Sequence, residues 1–496
     1  MMRTLLFILM LLTVSVLQSQ NEDLYSIVNT GDFDEGFTLV ADESGGYLIA
    51  GSTGTTQPGG STVYVVKLDD LGDYQWSLSF VTDGASRIND GIQTASGDFI
   101  LAGYSHTASG IPSGLVMRVS AEGEHLWTEY YGSPTLPDFI NSVSPASSFS
   151  SGYVLVGEQG RSSGYSDAWI FRIGENGNVV ENYLDGGARN DGFTSIDVQT
   201  GFYAVGGFTK SLSPDSLKTA CYLKYYNFEF DEVGTYIFNQ GTTCKIRDTR
   251  FIGDQAEAGI AADWERNDSV FALAAKYDRS QGMQWELVSD SVQNSWSQLR
   301  RDGTFGGIWA GEIFNEFGRR EMAYQSVETF NGIVDTLALL SSEHDYRVGG
   351  LHVDDSTVTM AGTRFENGQG MGDLFLVRTR KNAAFNPADS LYLIDDNISI
   401  VTTVEKAKFA VQTDDYKLYP NPATEYITLE GLSSSHAELR ILDVTGSVLR
   451  VERLTATGAN YQLNINQLPA GMYHLQIIES GQNQQRVTVK SFVKQR

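Results

Sequence analysis

From residue 24 to about 380 the chain is a succession of short apolar runs broken by Gly, Asp and Ser, and none keeps the 3.6-residue period of an amphipathic helix. The run "GGYLIAGST" at 45–53 returns as "SGDFILAGYS" at 96–105, "SGYVLVGE" at 151–158 and "TGFYAVGGFT" at 200–209. It continues as "AEAGIAA" at 256–262, "FGGIWAGE" at 305–312 and "STVTMAGT" at 356–363. Aligned on Gly51, Gly103, Gly157, Gly206, Gly259, Gly311 and Gly362, the units are spaced 52, 54, 49, 53, 52 and 51 residues apart. A Gly-rich run also suits a phosphate cradle, but no helix opens after Gly51, and the recurrence marks a buried strand between turns.

Two further markers keep the same period. A cation interrupts the next apolar strand at Lys67, Arg118, Arg172, Lys224, Lys276 and Arg378, 15 to 18 residues beyond each glycine; only the sixth unit departs, with Val327 near the expected place. An aromatic follows a Gly turn at Trp76, Trp127 and Trp285, and reads as a packing residue. Each unit is therefore four short strands, and seven such units predict an all-β, seven-bladed β-propeller over residues 21–381. Tyr25 precedes Gly51 by 26 residues, close to the 27 from Trp76 to Gly103, while the seventh unit ends after Arg380 without its last strand. The N-terminal strand is thus expected to complete the last blade.

The two ends of the chain read differently. Residues 1–20 carry Arg3 and then an apolar run from Leu5 to Leu17, the pattern of a signal peptide. No other stretch approaches 18 apolar residues, so no transmembrane helix is expected. Residues 382–416 read as a linker with one or two strands, and 417–496 as a small antiparallel β-sandwich of alternating strands.

The 24–381 unit "GGYLIAG…VYVVKLDDLGDYQW" resembles a bacterial seven-bladed β-propeller repeat family of exported proteins. The C-terminal segment resembles the type A sorting domain of the type IX secretion system of Bacteroidota. The matching residues are "YPNP" (Tyr419, Pro420, Asn421, Pro422), "LDVTG" ending at Gly446, "LPAGMYHLQI" with Gly471 and Tyr473, and the basic finish "VKSFVKQR". Ser447 stands where a basic residue commonly follows the glycine. The resemblance implies export through the periplasm, the type IX secretion machinery as a partner, and a destination at the outer-membrane surface or in the medium.

Composition narrows the function. A net charge of −26 and 61 acidic against 35 basic residues exclude a large nucleic-acid surface. Cys221 and Cys244 are 23 residues apart, a spacing that leaves their pairing open. "GRSSG" at 160–164 meets a nucleophile pattern around Ser162, and "GQGMG" at 368–372 a nucleotide one, but neither leads into a helix. His106, His125, His344, His352, His436 and His474 form no metal-ligand pair, so no metal site is expected. "GDFDEG" at 31–36 and "DDLGD" at 69–73 carry oxygen ligands suited to Ca²⁺ without the EF-hand spacing, and Asx turns explain them at less cost.

Glu35, Asp90 and Asp191 enter first strands 13 to 16 residues before their glycines. They read either as an acidic rim of the channel, binding a cation or sugar hydroxyls, or, the favoured reading, as partners of the in-strand cations, which need compensation when buried. The preferred reading is that of a non-catalytic binding or adhesion scaffold with a surface-protein or glycan ligand and no cofactor. A propeller enzyme acting on extracellular polysaccharide is the alternative, and a structural spacer the third.

Overall fold

The computed structural model describes residues 24–495 apart from short segments, the longest being 55–60, 366–371, 382–390, 403–408, 411–416 and 431–436; side chains between 382 and 416 are likewise not described. The expected signal peptide lies outside the described residues. Every described element is a strand or a turn.

Seven antiparallel sheets of four strands, here A to D from the axis outward, form the blades of a β-propeller. Blade one is Glu35–Ala41, Tyr47–Gly54, Ser61–Leu68 and Tyr74–Val81. The A strands of blades two to seven are Ser86–Gln93, Asp138–Pro145, Asp191–Gln199, Thr243–Phe251, Ser295–Asp302 and Asp345–Val353. In "GGYLIAGST", Gly45 turns with φ of +93°, a region costly for other residues, and Tyr47 to Ala50 are buried. Strands buried on both faces read as continuous apolar runs. Seven apolar clusters form the core, one at each blade interface: Leu48, Val65 and Leu101 belong to that between blades one and two, and Leu39, Ile49 and Leu376 to that between seven and one.

The seventh blade is Asp345–Val353, Thr357–Phe365, Gly372–Arg380 and, as its D strand, the N-terminal Leu24–Asn29, which pairs antiparallel with Gly372–Arg380. Leu24, not Tyr25, lies opposite Arg378, where Trp76 lies opposite Lys67 in blade one. Tyr25 instead meets the Tyr346 hydroxyl at 2.8 Å. The segment after the ring adds parallel edge strands across the same seam. Leu391–Asp395 pairs with Leu24–Asn29 on blade seven, and Ser399–Thr402 with Tyr74–Val81 on blade one. Cys221 on strand C of blade four and Cys244 on strand A of blade five form a disulfide, a covalent link between blades.

Residues 417–495 form a sandwich. One sheet includes Gln485–Lys494, Gly471–Ser480, Ala437–Leu442 and Val448–Leu454; the other is Lys417–Tyr419, Tyr426–Glu430 and Asn460–Asn464. Ile427, Leu429, Ile441, Leu475 and Phe492 fill the space between them.

Candidate functional site

Each A strand carries one β-bulge, at Phe37, Asn89, Asn141, Thr194, Arg247, Ser297 and Gly349, where the pairing with strand B skips a residue. These bulges explain the repeating glycine. A Cβ on Gly51 would lie 1.8 Å from the Glu35 carbonyl oxygen, and one on Gly103 2.0 Å from that of Arg87. The same test places the true marker of blade four at Gly207, 2.1 Å from the Gly192 oxygen, rather than at Gly206. In blade five the corresponding position is Ala262, paired with Ile246, not Gly259.

The bulged side chains link the blades around the axis. Asn89 donates its amide to the Ile140 carbonyl at 2.7 Å, Asn141 to Phe193 at 2.8 Å, Thr194 its hydroxyl to Ile246 at 2.7 Å, and Ser297 to Val348 at 3.0 Å. Each joins one blade to the next. Between blades seven and one, backbone approach replaces the side chain, since a Cβ on Gly349 would meet the Gly36 oxygen at 2.3 Å.

The three acids singled out in the sequence do not share one register. Glu35 stands two places before its bulge, Asp90 one after, and Asp191 three before. Glu35 pairs with Arg347 at 2.8 Å across the seam. Asp90 lies beside the axis and accepts from the Ser142 hydroxyl at 2.6 Å and the Val143 N–H at 3.1 Å of blade three. Its counterpart in blade five is Asp248, which accepts from the Leu299 N–H and the Arg300 guanidinium, both at 2.9 Å. Asp191 is buried inside its own blade, accepting from Thr209, Lys210, Ser211 and Gly187. Its register partners are Asp34 and Asp138. Burial raises Asp34 to about 6 and Asp138 to about 7, against the pull of the N–H groups they accept.

The in-strand cations do not take the entry acids: Lys67, Arg118 and Lys276 find theirs near the far end of the A strands, and Lys224 finds its two on strands D of blades three and four. Lys67 pairs with Asp42, Arg118 with Asp98 at 2.8 Å, Lys224 with Asp185 and with Glu232 at 2.6 Å, and Lys276 with Glu257 at 2.8 Å. Arg172 bonds Glu181, directly opposite on strand D. Each tryptophan marker covers a turn of the next blade: a Cβ on Gly123 would meet Trp76 at 2.7 Å, and one on Gly332 Trp285 at 2.9 Å. Trp76 also donates to the Ala121 carbonyl at 2.9 Å.

At the A-strand entries, two residues before the bulges, charged and aromatic side chains form the mouth of the channel. Arg87 stacks over Phe37 with 4.2 Å to the centroid and faces Tyr104 at 5.2 Å, donating from Nε to Asn89 at 2.8 Å. Lys245, across the axis, faces Phe208 at 4.9 Å. Burial holds the Lys245 ammonium below the ordinary lysine range, with Glu158 and Asp263 partly opposing this and the fields of Arg247 and Arg87 adding to it. Burial raises the Glu158 carboxyl in turn. Arg247 is tied to Asp263, and Phe139 meets Tyr104 edge to face at 5.1 Å. None of Arg87, Lys245 or Glu158 was singled out from the sequence. Sorting the units by the bulge rather than by the nearest glycine puts Glu35, Arg87, Phe139, Lys245 and Arg347 in one column.

The remaining motifs are turns or lie outside the description. "GRSSG" closes a tight turn between strands, where the Arg161 N–H donates to the Tyr165 carbonyl at 2.8 Å. Of "GQGMG" only Gly372 is described. Asp69 Oδ1 accepts from the Leu71 and Asp73 N–H groups at 2.9 Å, an Asx turn. Among the described residues no three His, Cys, Asp or Glu side chains are grouped as metal ligands. No helix among them is long and apolar enough to cross a membrane.

In the C-terminal sandwich, Tyr419, Pro420 and Pro422 are exposed, and Asn421 accepts from the Val493 N–H at 2.9 Å. The neighbouring Ala423 exchanges backbone bonds with Val493 and Gln495, so the "YPNP" turn clasps the last strand. Gly471 opens its strand, and Tyr473 stacks on Phe492 and donates to the Pro469 carbonyl at 2.9 Å. Gly446 lies outside the described residues.

Residues 417–495 match the family described as the secretion system C-terminal sorting domain. No curated protein matches the chain. Similar solved structures include a protein of unknown function from Dyadobacter fermentans, at 11% identity over 72% of this chain and 97% of that one, with a TM-score of 0.44. The β-propeller domain of the Trilobed protease from Pyrococcus furiosus aligns at 12% identity over 72% and 100%, with a TM-score of 0.42. Sqt1 from Chaetomium thermophilum aligns at 13% over 70% and 86%, with 0.38. The C-terminal match makes residues 417–495 a type IX sorting domain, and the chain an exported β-propeller protein of the cell surface or the medium.

Proposed function

We propose that the propeller is a non-catalytic binding or adhesion scaffold, presenting its channel mouth and the surrounding B–C turns outside the cell. The observation that carries this reading is the engagement of the axial acids: Glu35 with Arg347, Asp90 with Ser142 and Val143, Asp248 with Leu299 and Arg300. A glycosidase needs two carboxyls free to face a sugar about 5–10 Å apart. The same face exposes Tyr165, Leu212 and Phe317 at B–C turns of blades three, four and six, apolar tips suited to contact.

The test is to present the mature protein with a panel of glycans and outer-surface extracts while following product formation by mass spectrometry. Binding without turnover is expected; hydrolysis of a bound glycan overturns the reading. Deleting 417–496 is expected to leave the protein in the periplasm, and normal surface delivery of that truncation overturns the sorting assignment.

The enzyme reading retains one favouring observation. Glu158 and Glu312 are carboxyls raised by burial, Glu312 to about 7, as a general acid requires. If turnover is seen, Glu158→Gln and Glu312→Gln should abolish it.

A further inference from the structure

The bulges that turn side chains toward the axis also enclose a well there. Its open volume is about 320 Å³, and every blade contributes to its wall, from Phe37 in blade one to Gly349 in blade seven. The charges in that wall are already matched. Asp90 accepts from blade three, Asp248 from the Leu299 N–H and Arg300, Arg250 bonds Asp248, and Arg247 is tied to Asp263. A charged ligand of either sign would have to break one of these pairings.

Two neutral groups of the wall are not matched. In the column one place after the bulge, Asp90, Ser142 and Asp248 each accept an N–H of the next blade, from Val143, Ile196 and Leu299. Ser195 holds that position in blade four, but the corresponding N–H, that of Thr249, donates instead to Asp248 at 2.9 Å. Ser195 is 3% exposed, and its hydroxyl has no hydrogen-bond partner among the described residues. Gln298, in the same column of blade six, leaves its side-chain amide without one among them as well. A buried hydroxyl without a partner is costly until something completes it.

We propose that the well takes the terminal, uncharged sugar residue of an extracellular glycan, whose hydroxyls complete Ser195 and Gln298. This rests on the binding reading above and names its site and ligand class. A sugar hydroxyl both donates and accepts, which suits a serine and an amide together. Phe37, the one aromatic of the wall, supplies apolar surface for the C–H bonds of the ring. Small-ligand pockets run from about 300 to 1,000 Å³, so this volume suits one ring rather than a run of them. Encirclement by seven blades admits the end of a glycan, not its middle. A peptide is disfavoured because it would dock on a strand edge. The inner edges of blades three, four, five and seven are already in use, their Ile140, Phe193, Ile246 and Val348 carbonyls accepting from neighbouring blades.

The experiment is saturation-transfer NMR and calorimetric titration of the mature full-length protein. The probes are the methyl glycosides of glucose, galactose, mannose, rhamnose and N-acetylglucosamine, with glucuronic acid and calcium chloride as competitors. At least one neutral glycoside is expected to bind, its affinity changing less than about twofold between about 50 and 500 mM salt. That affinity should fall at least about tenfold in Ser195→Ala and in Gln298→Ala. Without ligand, both variants should melt no lower than the parent, because neither polar group is bonded within the fold. Binding of no neutral glycoside, or displacement of the glycoside by glucuronic acid or calcium, overturns the proposal. Glycoside binding that both variants leave unchanged also overturns it, while the binding reading stands. Hydrolysis of a bound glycoside overturns the non-catalytic reading instead, leaving the well and its ligand class standing.

Discussion

Lys67 and Lys245 are both lysines set into β-strands, one on strand C of blade one and the other on the axial strand of blade five. Lys67 lies 8% exposed against an Asp42 side chain 4% exposed. Burial by itself raises that carboxyl, but the bonds from Lys67 and Ser44 outweigh it and hold Asp42 below the ordinary aspartate range. Lys245 faces an aromatic ring and is itself pushed down by burial. The first charge is matched by a carboxylate in contact with it; the second has only the fields of Glu158 and Asp263, neither of which bonds it.

The largest test of this contrast is Lys67→Met, which strands Asp42 as a buried charge without its partner. It should cost about 3–5 kcal/mol, read as a fall in the urea midpoint. A loss below about 1 kcal/mol would mean that these pairs within the blades are as dispensable as surface ones.

Acids without cations extend the comparison. Asp34 and Asp138 have folded pKa values raised to about 6 and about 7, so the fold holds their protons more tightly than the unfolded chain does. Their contribution is full below the ordinary carboxyl range and is lost as pH rises through 6 to 7. The melting temperature should therefore be higher at pH 5 than at pH 8, and Asp138→Asn should flatten the difference. A profile that climbs from pH 5 to pH 8 would contradict the assignment. A smaller effect is expected from Asn141→Ala, which removes one axial bond to the Phe193 carbonyl and should cost about 1 kcal/mol. Smallest is Lys245→Met, which should shift stability by less than about 0.5 kcal/mol or raise it. A large loss there would place Lys245 with Lys67 and remove the contrast.

The seven-unit period, the closing N-terminal strand and the sorting segment were legible because they rest on local rules: turn glycines, apolar strands and short motifs at fixed phase. The site was less so. Glu35, Asp90 and Asp191 looked equivalent by distance from a glycine, yet the bulges put them in three registers. One residue of slip carries a side chain to the opposite face of a strand. Gly206 and Gly259 drew the alignment off by one and three places because Gly207 and Ala262 hold the true position, Ala262 without the glycine signature. Arg87 and Lys245 share one register on blades two and five, a separation along the chain that no local pattern spans.

The N-terminal strand has a consequence for the order in which the molecule can be finished. Leu24–Asn29 leads the ring, yet its partner, Gly372–Arg380, comes some 350 residues later, and the strands that belt the seam, Leu391–Asp395 and Ser399–Thr402, later still. Until those segments have emerged, the incomplete ring keeps unpaired strand edges, which invite association with other chains. Any N-terminal fragment ending before residue 372 carries that hazard permanently. Because the sorting domain follows the belt directly, the signal for passage across the outer membrane arrives only after everything needed for closure. Chain order itself makes completeness a precondition for the address label.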